Sequence, residues 1–212
     1  MIPKYSSQNL CAALPVAAAL YLGCGLTLAV ADQTVSERSM TLISAALRQV
    51  NVTVTYDPAY RKLTYPMGDV PRDRGVCTDV IVRAYRDAFG RDLQRQVHED
   101  MRRHFSAYPK HWGLKRPDRN IDHRRVPNLR VFFALHGTRL PVSEAPGDYL
   151  PGDLITQTIA GRLPHIGIVT HLRSNDGLRP LIVHNIGAGA RLEDTLFEFP
   201  ITGHYRYGVD GD

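Results

Sequence analysis

The first 31 residues set the terms for everything after them. Lys4 is the only charged side chain before Asp32, and Leu10 to Ala31 (LCAALPVAAALYLGCGLTLAVA) is almost wholly apolar over 22 positions. A short polar start, an apolar stretch and Ala29-Val30-Ala31 are the three parts of a secretory signal with a small-x-small cleavage site. Two other fates stand beside cleavage after Ala31. A run of this length spans a bilayer and can stay as an anchor. Leu22-Gly23-Cys24 has the outline of a lipoprotein cleavage site, although Tyr21 is a poor lead residue and the apolar run continues past Cys24. All three place the folded part outside the cytoplasm, either periplasmic or secreted, or anchored to the inner membrane and facing the periplasm.

Export changes what the cysteines can do. Cys11 and Cys24 lie in the signal, so Cys77 is the one thiol expected in the mature chain. In an oxidising compartment structural cysteines come in pairs. An odd one is an intermolecular partner, a small buried hydrophobe, or a working nucleophile. With no internal disulfide, residues 32–212 must hold together through an apolar core, and they are numerous enough for one domain that does so. A content of 43% hydrophobic and 22% charged residues fits a globular chain rather than a disordered one. The net charge of +5 favours anionic surroundings. Its basic residues are scattered, however, and no nucleic-acid-binding motif is present, so nucleic acid is not expected as a partner. Membrane contact is expected only through the signal or anchor segment, and the sequence does not fix an oligomeric state.

Helical patterns come first in the chain and strand patterns last. Val35 to Val50 has apolar residues at Met40, Leu42, Ile43, Ala46 and Leu47, the spacing of an amphipathic helix. Asn51 to Tyr56 alternates as a short strand or extended lead-in, and Tyr65 to Gly75 (YPMGDVPRDRG) is a loop. From Cys77 a second helix runs with Val80, Ile81, Ala84, Tyr85 and Ala88 on one face and Gly90 as its stop. Helices are also expected over Asp92 to Phe105 and Asn128 to His136, with loop between. Leu154 to Thr156, His165 to Thr170 and Leu181 to His184 are β-branched segments separated by turn residues, the pattern of an antiparallel sheet. Helices followed by strands predict an α+β fold in a single domain, with N-terminal helices packed on a C-terminal sheet.

Chemistry concentrates at Cys77, which sits where a Gly/Pro loop turns into a helix. Free N–H groups and the positive end of a helix dipole stabilise a thiolate there, so a catalytic thiol should react well below pH 8. A nucleophile also needs a base, normally a His oriented by a third polar group. Nine histidines compete. His165 (PHIGIV) and His184 (IVHNIG) stand out because each is embedded in an apolar strand, where a polar ring needs a partner.

These residues carry a resemblance. Tyr65…Gly68-Asp69…Gly75-Val76-Cys77-Thr78-Asp79, Pro151-Gly152-Asp153-Leu154-Ile155, His165-Ile166-Gly167-Ile168-Val169 and Ile182-Val183-His184 resemble the blocks of the NlpC-type cell-wall cysteine peptidases of the papain-like superfamily. The stretches Val97 to Met101, Asn120 to Arg125 and Gly203 to Arg206 resemble more closely a bacterial family of unknown function, domain of unknown function 1287, over roughly Ile43 to Arg206. The resemblance implies a papain-like fold with Cys77 as nucleophile, His165 as general base and His184 as its orienting residue. It places Tyr65, Thr78 and Asp79 on the substrate side and implies a cell-wall peptide as substrate, cleaved at an amide bond through a thioester. The family has Asp-Cys-Ser-Gly at the nucleophile. Thr78 supplies the Ser hydroxyl, but Val76 cannot replace the carboxylate, which leaves open how the peptide is held. The span from Cys77 to His165 is also longer than in compact members. The excess, about 92–148, is an insertion that serves either as a substrate wall or as a solvated surface. A catalytically silent envelope-binding module and a thiol acyltransferase are alternative readings of the same pattern.

No metal or other cofactor is expected. His98-Glu99-Asp100-Met101-Arg102 opens like a zinc-protease helix, but Arg102 stands at the second ligand position. Gly187 and Gly189 precede no convincing helix that would bind phosphate.

Overall fold

A computed structural model describes residues 35–210. The apolar segment at 1–31, and with it the signal or anchor reading, lies outside the described residues.

The chain opens with α1 (Glu37–Leu47), capped by Ser36, whose side chain accepts the Ser39 N–H. Leu42, Ile43, Ala45 and Ala46 are fully buried, and this face packs on α2 (Cys77–Phe89). Between them β1 (Thr55–Tyr56) and β2 (Arg74–Gly75) form a small parallel ladder. Every residue of α2 from Cys77 to Tyr85 is buried, so this helix is the axis of the domain rather than a surface element. It ends at Gly90, in the left-handed conformation that glycine adopts at little cost. Then come α3 (Leu93–Arg103), capped by Asp92, and α4 (Val126–His136), with a single 3-10 turn at Asp122–Arg124 before α4.

The C-terminal half is a six-stranded antiparallel sheet. Its strands are β3 (Thr138–Leu140), β4 (Leu154–Ile159), β5 (Leu163–Arg173), β6 (Pro180–His184), β7 (Arg191–Glu193) and β8 (Ile201–Arg206), in the order β3-β8-β4-β5-β6-β7. Strand alternation sends Leu154, Ile166, Ile168 and Val183 into the large helix-side core. Their neighbours Ile155, Val169 and Ile182 join Tyr149 and Leu196 in a smaller cluster. The described domain is thus α+β, with four α-helices and one antiparallel sheet.

Two findings alter the sequence reading. Residues 92–148 are not a solvated appendage, because Leu93, Val97, Met101, Leu129, Phe132 and Phe133 belong to the main core. Four strands were not anticipated: β2, which falls at the end of the expected loop Tyr65 to Gly75, and β3, β7 and β8. The last of these is internal and pairs with both β3 and β4.

Several side chains hold the loop before Cys77: Asp92 and Gln94 accept the Met67 and Gly68 N–H groups, and Arg83 gathers the part nearest the helix. Arg83 of α2 is completely buried. Its guanidinium donates to the Asp69 carboxylate, the carbonyls of Val70 and Arg74, and the Thr53 hydroxyl. A buried cation is tolerated only when its donors are met this fully. Arg83→Ala strips the loop carbonyls of their donor and leaves Asp69 with Arg86 alone. We expect it to destabilise the fold by about 3–5 kcal/mol, the usual cost of breaking a buried ion pair. Urea unfolding should show this as a lower midpoint with an unchanged slope.

Candidate active site

Cys77 is the first residue of α2 and is buried. The backbone N–H groups of Ile166, Thr78 and Cys77 itself lie near enough to favour the thiolate. Ile166 follows His165 directly, and Pro164 shares a cleft with Cys77, so the sulfur lies against the stretch of β5 that carries His165.

From His165 a polar chain crosses three adjacent strands. His165 Nε2 lies 2.9 Å from His184 Nδ1, and His184 Nε2 lies 2.9 Å from Glu193 Oε2. His184 on β6 faces Arg191 on β7, which makes Glu193 its diagonal neighbour on the same face of the sheet. Gly167 makes the approach possible. A methyl group there would stand 2.5 Å from the Ile182 side chain and 3.2 Å from His184 Cβ, so a larger residue would push β6 away.

The carboxylate gives this chain a direction. Glu193 accepts, so His184 donates from Nε2. Burial lowers the pKa of His184, which is therefore neutral and accepts at Nδ1. His165 then donates from Nε2, and its Nδ1 is left as the lone pair, the form a general base requires.

Burial also sets the resting charge state. It pushes the Cys77 thiol up to about 12, against the three N–H groups that favour the thiolate. It pulls His165 down to about 3, helped by the neighbouring His184. The helix N-terminus was expected to make Cys77 reactive well below pH 8, but desolvation outweighs it, and the pair rests as neutral thiol and neutral imidazole.

The structure joins His165 directly to His184 and packs the helix that begins at Cys77 on the strand that carries His165, and it separates the residues expected on the substrate side. Tyr65 lies against α3, its ring edge-on to His98 at 5.5 Å with the Arg119 guanidinium over it at 5.6 Å. Tyr56 takes the expected place and lines the cleft over Cys77. Thr78 is fully buried, and its hydroxyl has no partner among the described residues. Asp79 is buried and occupied. It accepts the Val76 N–H at 2.7 Å and pairs with Arg124 through both oxygens at 2.9 Å. Its work is to cap α2 and tie Arg124 to it, so no lone pair faces a ligand. Sequence reasoning missed Glu193 altogether, since an acid in a short strand after a glycine-rich loop looks like any surface residue.

The cleft has a volume of about 200 Å³, with Tyr56, Pro58, Trp112, Arg125 and Pro164 among its walls. Trp112 and Arg125 come from the 92–148 segment, which is therefore a wall of the cleft. The motif at His98 holds no metal geometry: His98 Nδ1 meets Asp122, and no metal-binding cluster occurs among the described residues.

A neutral resting thiol has a kinetic signature. Only the thiolate is alkylated, and below the pKa its fraction grows about tenfold per pH unit. Iodoacetamide labelling of Cys77 should therefore climb steadily from about pH 6 to about pH 9, with no plateau. A rate that stays level down to about pH 5 would instead mark a preformed thiolate–imidazolium pair.

Comparison with known proteins places this geometry in a family. The family described as Domain of unknown function (DUF1287) matches residues 43–207. The chain is also similar to the "Uncharacterized protein YijF" of Escherichia coli (strain K12), with 50% identity over 177 residues, which is 84% of this chain and 85% of the relative. The matched region runs from α1 through β8 and takes in Cys77, His165, His184 and Glu193, and the chain belongs to the DUF1287 family.

Proposed function

We propose that this protein is an exported thiol hydrolase that cleaves an amide bond in cell-wall peptide, on a papain-like scaffold of the NlpC type. The observation that carries the reading is the polarised chain from Glu193 through His184 to His165, on the strand that packs against the helix begun by a lone thiol. Support for export comes from the apolar segment Leu10 to Ala31 and its Ala-Val-Ala end.

Chemistry on this reading proceeds in two halves. Cys77 Sγ attacks the amide carbonyl carbon as its proton passes to His165 Nδ1. The Cys77 backbone N–H, at the first turn of α2, is one donor to the oxyanion. Collapse breaks the C–N bond, and His165 returns the proton to the leaving amine. Water then attacks the thioester, giving its proton to His165, and the C–S bond breaks to release a carboxylic acid and restore the thiol. His184 and Glu193 are positioning residues. They fix the tautomer of His165 and steady the imidazolium that forms, a task that grows in importance when the resting pair is neutral.

A catalytically silent binding module is the rival reading, and the burial of Cys77 favours it. Activity on purified sacculi separates the two. Wild-type protein should release muropeptides and Cys77→Ala should not, while circular dichroism shows both folded. Glu193→Gln should keep the fold and lower kcat about 10- to 1,000-fold with KM little changed, because the amide no longer fixes the tautomer of His184. Muropeptide release by Cys77→Ala at the wild-type rate would refute the hydrolase.

A further inference from the structure

The walls of the Cys77 cleft are mostly apolar or aromatic, with two arginines among them that are neighbours in sequence and opposite in state. Arg124 is fully engaged. Nε and Nη2 pair with Asp79, Nη1 donates to the Ala59 carbonyl, and Nη2 also reaches the Asp57 carbonyl. Arg125 is not. Its guanidinium carbon lies 4.1 Å above the Trp112 ring. Its Nη1 is sealed from solvent and has no hydrogen-bond partner among the described residues. Asp122 and Asp118 attract it through space; Asp122 gives Oδ2 to His98 and keeps a buried Oδ1 without a partner, while Asp118 takes the Tyr60 hydroxyl and Asn120.

An arginine in this state is incomplete. A partly desolvated cation without an acceptor is costly, and a single aromatic face compensates only part of that cost. Stacking fixes the plane of the guanidinium and leaves its N–H donors along the edge of that plane. That edge matches a carboxylate through two parallel hydrogen bonds. The wall next to Cys77 adds to the case, because Val76 offers no carboxylate of its own to compete for the cation.

We propose that Arg125, held flat by Trp112, binds a carboxylate of the peptide beside the scissile amide, so that the substrate class is peptides with a free acid group at that place. This inference rests on the thiol-hydrolase reading for its substrate. Its test is chosen to stand without turnover.

The test uses Cys77→Ala protein, which cannot consume the ligand, titrated by calorimetry. One probe is a synthetic cell-wall stem tetrapeptide with free carboxyl groups, and the other is the same peptide with those groups converted to primary amides. A charge-assisted pair is worth about 1.5–3 kcal/mol, so the acid form should bind about 10- to 100-fold more tightly. Adding Arg125→Gln should bring the ratio of the two affinities close to one, and adding Arg125→Lys should restore part of it. Circular dichroism checks that each double variant is folded. An acid preference that survives Arg125→Gln overturns the proposal, as does equal or absent binding of the two peptides to the Arg125 protein. Acid-selective binding together with no muropeptide release by wild type would sink the hydrolase and keep this site. Release without acid selectivity would do the reverse.

Discussion

The pairing of Asp79 with Arg124 is the constraint on which the site depends. Asp79 sits at the third position of α2, and one of its oxygens caps the N-terminus of the helix through the Val76 N–H. The same carboxylate holds Arg124, whose remaining donors take the carbonyls of Asp57 and Ala59. One buried ion pair thus joins the start of the helix that begins at Cys77, the strand that brings Tyr56 and the segment that brings Trp112 and Arg125. Both partners are almost completely buried. Loss of either would leave an uncompensated charge in the interior as well as an open cleft. Arg83 does the equivalent work one turn further along the helix, where it gathers Asp69 and the loop carbonyls. The long loop that leads to Cys77 has little regular structure of its own, and these two arginines help to make it a fixed surface.

Such a closed arrangement has a chemical consequence. A thiol raised to about 12 beside an imidazole lowered to about 3 does not ionise by internal transfer at rest. Proton transfer on the proposed reading must therefore accompany attack on the carbonyl, as in a serine–histidine pair. The arrangement behind His165 suits that demand. Glu193, 40% exposed on its side chain, is the single anion of the chain, and it reaches the imidazole through His184 rather than touching it. It sets the tautomer without lying beside the thiol, where its charge would oppose the thiolate still further.

Much of this was legible in the sequence, and the exceptions have physical causes. Cys77, His165 and His184 were readable because each breaks a local rule: a lone thiol at a loop-to-helix boundary, and polar rings inside β-branched strands. The α+β order followed from a change of hydrophobic period along the chain. β8 escaped because ITGHYR has no clean alternation; its burial comes from being internal in the sheet, and Asp153 satisfies its His204 and Arg206. Tyr65 and Tyr56 exchanged places for a related reason. A loop held by buried arginines does not run straight to the helix it precedes, so nearness in sequence to Cys77 misjudged which tyrosine reaches the cleft. Asp79 beside the nucleophile looks like a ligand group until its partner 45 residues away is known.

The arginine pair at 124 and 125 shows where pattern reading stops. In the sequence both belong to one run of charged residues, and nothing in the pattern tells them apart. Folding assigns them opposite tasks. Arg124 points inward to a carboxylate on another element and becomes structural, while Arg125 turns to Trp112 and keeps an unmet donor. Only the first has its charge balanced inside the domain. Arg125 thus places a positive charge in the cleft that Cys77 lines, with an aromatic plane to orient it. Where the resembled cysteine peptidases place a carboxylate before the nucleophile, this protein has Val76, and the cleft it lines also holds Arg125. A substrate held by the family's carboxylate would gain nothing here. The chemistry of the site asks instead for an anionic group presented edge-on to Arg125.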